Sequence, residues 1–81
     1  METRVAVMSI IVSETSNVEK INSLLHDYSE YIIGRMGIPY RNKNINVISI
    51  ALDGPQDKIS ALSGKIGNLK GINVKTLYSV F

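Results

Sequence analysis

The stretch INVISIALDGPQDKISALSGKIGNLKGINVKTLYS, residues 45–79, decides the fold, because it contains a strand, a helix and a second strand in immediate succession. Ile45–Leu52 is rich in β-branched residues and apolar on both faces, which is typical of a central strand. The sequence DGP predicts a helix with Pro55 at its first position, where a missing N–H is not needed. Gly71 is a natural left-handed cap, and Ile72–Ser79 alternates apolar and polar residues as an edge strand does.

The first half of the chain contains a strand, a helix and a strand in the same order. Arg4–Val12 is again apolar on both faces. Ser16–Glu19 fits a capping box, so a helix with one apolar stripe is expected from there to about Tyr28–Glu30. The second strand is expected at about Tyr31–Ile38, because Pro39 cannot donate a ladder hydrogen bond and marks an end or an edge.

The resulting order β-α-β-β-α-β predicts an α+β fold of the ferredoxin-like type. Right-handed crossovers arrange it as a four-stranded antiparallel sheet of order 4-1-3-2, with both helices on one face. This order places the two strands that are apolar on both faces in the centre. At 81 residues the chain is expected to form a single domain, residues 1–81.

The same order leaves one apolar sheet face without a cover. No sequence remains to pack on it, and large exposed apolar patches are uncommon on monomers. A second copy of the chain is the obvious partner, so a homodimer or a homotetramer through the sheet face is expected. The sequence does not decide between the two.

Composition excludes several classes of function. The chain has no cysteine, which rules out disulfides and thiolate metal sites within it, and its 44% hydrophobic residues include no run long enough to span a membrane. The apolar run near the N-terminus is too short to span and lacks a cleavage site, so a cytoplasmic protein is expected. The net charge of +2 is dispersed along the chain, so direct nucleic-acid binding is not expected. The central strands also lack the aromatic platforms with which RRM sheets bind RNA.

Catalytic and metal-binding patterns are missing from the sequence as well. The acidic residues form no recognisable catalytic motif, so no enzymatic activity and no cofactor are expected. His26 is the one histidine, and a metal site usually needs several ligands of defined spacing. It either contributes to a site shared between subunits or simply suits the negative end of the first helix.

Arg35 stands between two glycines in the second strand, Gly34 and Gly37. Glycine at such positions often marks a bulge or the close approach of another backbone. The charge of Arg35 has two readings. It is either an edge-strand charge that deters aggregation or a partner for an anionic ligand or for a carboxylate of another chain.

The stretch HDYSEYIIGRMGIPY, residues 26–40, is the most specific part of a resemblance that covers nearly the whole chain. The sequence resembles the iron-only hydrogenase system regulator family, small bacterial proteins with an ACT-like, ferredoxin-type fold. The resemblance implies a regulatory role linked to hydrogenase expression or maturation. It also makes this stretch the best candidate for a ligand site, with His26, Tyr28 and Arg35 as the candidate binding residues.

Two better-understood relatives of this fold differ from the sequence at their binding sites. The nickel-responsive repressor domain uses several histidines and a cysteine, whereas here Arg35 and Gly37 stand about where its His-x-His pair falls. Amino-acid-binding ACT domains carry an Asp-x-Pro-Gly-like turn after the first strand, whereas Ser13–Ser16 contains neither Pro nor Gly. The expected function is therefore an oligomeric regulatory module whose small-molecule effector is unknown. The alternative is a structural interaction subunit with a protein partner and no small ligand.

Overall fold

The fold is a four-stranded antiparallel sheet with two helices on one face, seen in a computed structural model that describes residues 2–80. The order of the strands is β2-β3-β1-β4, which is the predicted 4-1-3-2 order read from the other edge. The predicted ferredoxin-like α+β fold is thus confirmed. The elements are β1 Arg4–Val12, α1 Val18–Asp27, β2 Ile32–Tyr40, β3 Ile45–Gly54, α2 Gln56–Gly67 and β4 Ile72–Tyr78.

The hydrophobic core lies between the two helices and one face of the sheet. Alternate residues of the two central strands point into it, and five of them are completely buried: Met8, Ile10, Val12, Ile50 and Leu52. The helices contribute one apolar stripe each, as their spacing predicts. The buried residues from the helices are Ile21, Leu25, Ile59, Leu62 and Ile66.

The opposite face of the sheet, which we call the open face, is covered by nothing in the part of the chain that the structure describes. Its exposed large apolar side chains range from 39% (Val7) to 74% (Leu77) exposure, and Val47 is half-buried. The strand register arranges the middle of this face in three cross-strand rows. These rows are Leu77-Val7-Ala51-Gly34, Lys75-Ser9-Ser49-Met36 and Asn73-Ile11-Val47-Ile38.

The start of α1 differs from the predicted capping box. Residues Thr15–Asn17 form a short 3-10 turn, and α1 begins at Val18 without a side-chain cap. Asn17 is buried instead, and its Nδ2 donates a 2.7 Å hydrogen bond to the carbonyl oxygen of Lys70. The prediction was wrong because a contact with the turn before β4, distant in sequence, fixes this segment. Helix α2 also begins one residue later than predicted, with Pro55 as its N-cap.

Gly71 adopts the predicted left-handed conformation, with φ of +74°. Helix α2 has already ended at Gly67, so Gly71 shapes the turn into β4 rather than the helix end itself. Its carbonyl oxygen accepts hydrogen bonds from the backbone N–H of Ser13 at 2.8 Å and from the Ser13 hydroxyl at 3.0 Å. This turn therefore ties the start of β4 to the end of β1.

Edge strand β2 carries an irregularity near its start. Ile32 pairs with Leu52, but Gly34 pairs with Ala51, so Ile33 is an additional residue in the strand. Of the two features that glycine often marks in a strand, the bulge is present here, next to Gly34. The alternative, a close approach of another backbone, is not found within residues 2–80, since a Cβ at Gly34 or Gly37 would have no neighbour within 4 Å.

Candidate functional site

A groove of about 350 Å³ lies between α1 and β2, on the helix side of the sheet. Two of the three predicted ligand-binding residues, His26 and Arg35, line it together. The helix and the short turn after it form one wall, and the edge strand forms the other. The lining residues are Asn22, Leu25, His26, Ser29, Ile32 and Arg35.

The guanidinium group of Arg35 is oriented by a single hydrogen bond. Its Nη2 donates to the Oδ1 atom of Asn22 at 2.9 Å. Within residues 2–80 no carboxylate lies within ion-pairing distance of this group. Because the adjoining Gly34 and Met36 face the other side of the sheet with the open-face rows, Arg35 presents its charge to the groove. The groove therefore contains a fixed positive charge that is not neutralised by an ion pair.

The rest of the groove combines an apolar floor with polar walls. Leu25 is buried in the core and closes the bottom of the groove, and the half-buried Ile32 offers most of the apolar surface there. His26 and Ser29 are exposed and contribute an imidazole and a hydroxyl group. The site can accordingly accept a small molecule that has an anionic end and an apolar body.

Tyr28, the third predicted binding residue, does not line this groove. Its hydroxyl oxygen accepts a 2.9 Å hydrogen bond from Nζ of Lys65 on α2, and its ring lies 6.4 Å from that of Tyr31. The hydrogen bond raises the pKa of Lys65 above its ordinary value, and the charge of Asp27 adds to this effect. Nζ lies 5.1 Å from the ring centre, so the hydroxyl rather than the ring is the closer partner. Tyr28 thus links the two helices.

Asn22 and Ser29 were missed by the sequence reading, although a signal was present. Asn22, His26 and Ser29 are spaced i, i+4 and i+7, which places polar side chains on one side of a helix and its following turn. That spacing does not say which strand lies opposite. Only the structure shows that Arg35 approaches this row.

The open face is the second surface of functional interest. Four strands of this length span roughly 500 Å² in projection, and two apolar rows make up a large part of this face. The central pair Ser9 and Ser49 lies between two apolar rows. Among residues 2–80, the charged residues that the strand register puts on this face are Lys75 on edge strand β4 and Asp53 near the end of β3.

Among residues 2–80, no three His, Cys, Asp or Glu side chains come together as a group that could hold a metal ion. No helix in that range is long and apolar enough to cross a membrane.

Several solved structures are similar to the chain. It is similar to the uncharacterized protein TM1266 from Thermotoga maritima, with 38% identity over 95% of this chain and 98% of that one, and a TM-score of 0.90. A formyltetrahydrofolate deformylase from Pseudomonas putida KT2440 shares 10% identity over 90% of this chain and 28% of its own, with a TM-score of 0.66. At 10% identity the likeness to the deformylase shows the fold alone.

The third structure is CPII, a nitrogen regulatory PII-like protein from Thiomonas intermedia K12, which was solved bound to ADP, AMP and bicarbonate. It shares 14% identity over 98% of this chain and 99% of its own, with a TM-score of 0.54. A comparison with functionally curated proteins finds no match. Residues 4–76 match the TM1266-like family model, described as "Iron-only hydrogenase system regulator, putative". Because this match covers most of the sequence, the chain belongs to the TM1266-like family of iron-only hydrogenase system regulators.

Proposed function

We propose that this chain is a non-catalytic regulatory module of the iron-only hydrogenase system, which assembles as a homo-oligomer and responds to a small-molecule effector. In this proposal residues 1–81 act as a single ACT-like domain in the cytoplasm. The family supports the regulatory role. The open face supports the assembly, and the groove with His26 and Arg35 supports the effector site. Tyr28 contributes indirectly, by holding the helix that carries His26.

The open face is the single observation that carries the oligomer. Its two apolar rows have no cover within residues 2–80, and burying them removes apolar surface from water at roughly 25 cal/mol per Å². A second copy presents a face of identical shape, and an isologous pairing of this kind gives a closed dimer. Dimers can pair again through their helix faces, so the proposal includes the tetramer. An interface of about 800 Å² from each partner is typical of a stable complex.

Ile11→Lys tests the assembly. Ile11 lies on central strand β1 and pairs directly with Val47, in the middle of an apolar row. A lysine there places a charge at the centre of the proposed interface, and burying an unpaired charge is strongly unfavourable. We expect sedimentation equilibrium to find the wild-type chain at a multiple of 8.9 kDa and the variant at 8.9 kDa.

The matched control is Ala61→Lys, which adds the same charge at an exposed position on α2. It should leave the dimer intact, although it can reduce a dimer-to-tetramer step. A wild-type chain that sediments as a monomer at all concentrations would sink the proposed assembly.

A thermal-shift screen tests the effector. Amino acids, nucleotides, small organic acids and divalent metals are added separately at high concentration. A ligand at 100 times its dissociation constant stabilises the folded state by about 2.7 kcal/mol, which shifts the unfolding midpoint of a small domain by on the order of 10 °C. A clear shift identifies the class of effector. A flat screen with the oligomer intact favours the second candidate, a structural interaction subunit that binds an unidentified protein partner and no small ligand.

A further inference from the structure

We propose that the groove between α1 and β2 binds a small organic carboxylate with a short aliphatic body, which Arg35 holds through its guanidinium group. This inference rests on the proposed response to a small molecule and names the chemistry of that molecule. It rests on one arrangement: the positively charged guanidinium group of Arg35, with its planar set of N–H donors, lies beside the apolar floor of the groove. Neither element alone would specify such a ligand.

The positive end of the site is already oriented. A guanidinium group has five N–H donors in a planar fork, and Asn22 takes up one through the 2.9 Å bond to Nη2. That bond limits rotation of the group and leaves other donors free. A carboxylate matches two parallel N–H donors, so its two oxygens can be held together. The arrangement therefore favours a planar anion, which two N–H groups can hold at once, over an anion that accepts only one hydrogen bond.

The apolar end of the site selects the body of the ligand. Leu25 and Ile32 form the floor, and they belong to the core or pack against it. A ligand chain laid on this floor removes apolar surface from water on both partners. Inorganic phosphate has the charge but no apolar part, so it would leave the floor exposed. The volume of about 350 Å³ suits a molecule of a few carbon atoms.

The polar wall offers a second recognition point. Ser29 and His26 face Arg35 across the groove, and neither side chain has a hydrogen-bond partner elsewhere within residues 2–80. They can contact the carboxylate or a second polar group on the ligand. No carboxylate of residues 2–80 forms an ion pair with Arg35, so none of them competes with the ligand for the guanidinium group.

Butyrate is a suitable probe, and its uncharged analogue butyramide tests the need for charge. Both are titrated into the ¹⁵N-labelled chain at constant ionic strength, and amide resonances are followed by NMR. We expect butyrate to shift the resonances of Asn22, His26, Ser29 and Arg35 with saturation, and butyramide to leave them unmoved. Saturable shifts from inorganic phosphate without shifts from butyrate would overturn the assignment.

Arg35→Lys tests whether the planar pair of N–H donors is needed in addition to the positive charge. Lysine keeps the charge but presents it on a single ammonium group. We expect it to weaken butyrate binding by at least roughly ten-fold. The matched control Arg41→Ala removes a guanidinium from the turn after β2, outside the groove, and should leave the affinity unchanged. Equal affinity of wild type and Arg35→Lys, or equal weakening in both variants, would contradict the proposed fork.

The same samples distinguish this inference from the proposed function. If butyrate fails to bind while the wild-type chain sediments as an oligomer, the carboxylate assignment fails and the regulatory assembly stands. If Arg35→Ala, which removes the charge that Arg35→Lys keeps, precipitates and butyrate does not bind the wild type, Arg35 is an edge-strand charge that deters aggregation and the inference is overturned.

Discussion

Replacing Ile50 with alanine lowers the free energy of unfolding by about 3–5 kcal/mol. Ile50 lies at the centre of β3, pairs with Met8 across the sheet, and is completely buried under the helices. Alanine removes three carbon atoms from a site enclosed by rigid secondary structure, so the cavity can collapse only partly. A chain of this length has a total stability of about 4–12 kcal/mol, and the variant therefore loses a large share of it.

Urea unfolding at a fixed protein concentration measures this loss, because assembly through the open face would make stability depend on concentration. The graded control is Ile50→Val, which removes one methylene group and is expected to cost about 1 kcal/mol. An Ile50→Ala variant as stable as the wild type would mean that β3 is shifted by one residue. Such a shift would exchange the core and open faces of the strand.

Replacing Gly71 with alanine is expected to lower the free energy of unfolding by about 2–4 kcal/mol. The left-handed conformation at φ +74° costs about 1–2 kcal/mol for a residue with a Cβ. The added atom would also lie 2.8 Å from Cβ and 3.0 Å from the backbone nitrogen of Glu14, closer than ordinary contacts allow. Part of the Ser13 hydrogen bonding to this turn would be lost as the backbone moves.

The matched control for Gly71 is the same substitution at Gly64. Gly64 lies within α2, is exposed, and has open space where a Cβ would go. Alanine has the higher helix propensity, so Gly64→Ala is expected to stabilise the chain by about 0.5–1 kcal/mol. Thermal and urea unfolding should thus move in opposite directions for the two variants. Destabilisation of equal size at both positions would refute the role assigned to the Gly71 turn.

The architecture was predictable from the sequence because the burial of each strand face determines which of its residues are apolar. Apolar residues on both faces identified β1 and β3 as the central strands, and the alternation in β4 correctly separated its two faces. Arg4–Val12 was predicted with its observed bounds. These features depend on side chains near in sequence, and the periodicity of a strand reports them well.

The local start of α1 was not predictable in the same way. A capping box is a pattern of four residues, but here Asn17 is used for a hydrogen bond to Lys70, 53 positions away. The groove presented the same difficulty. His26 and Arg35 were selected from their own stretch, yet Asn22, which orients Arg35, belongs to the helix before it. Contacts between distant segments leave no local signal.

The additional residue Ile33 determines on which side of the sheet the charge of Arg35 lies. In a regular strand, residues 32 and 34 share a side, and Arg35 would then lie on the opposite side from Ile32. Because the bulge inserts one residue, Ile32 and Arg35 pair with Leu52 and Ile50 and lie on the same side. The bulge therefore keeps the cation of Arg35 off the open face, with its apolar rows, and places it on the helix side of the sheet, at the groove. One additional residue thus gives a short edge strand an apolar side and a charged side, which a regular alternation of the same residues would have mixed.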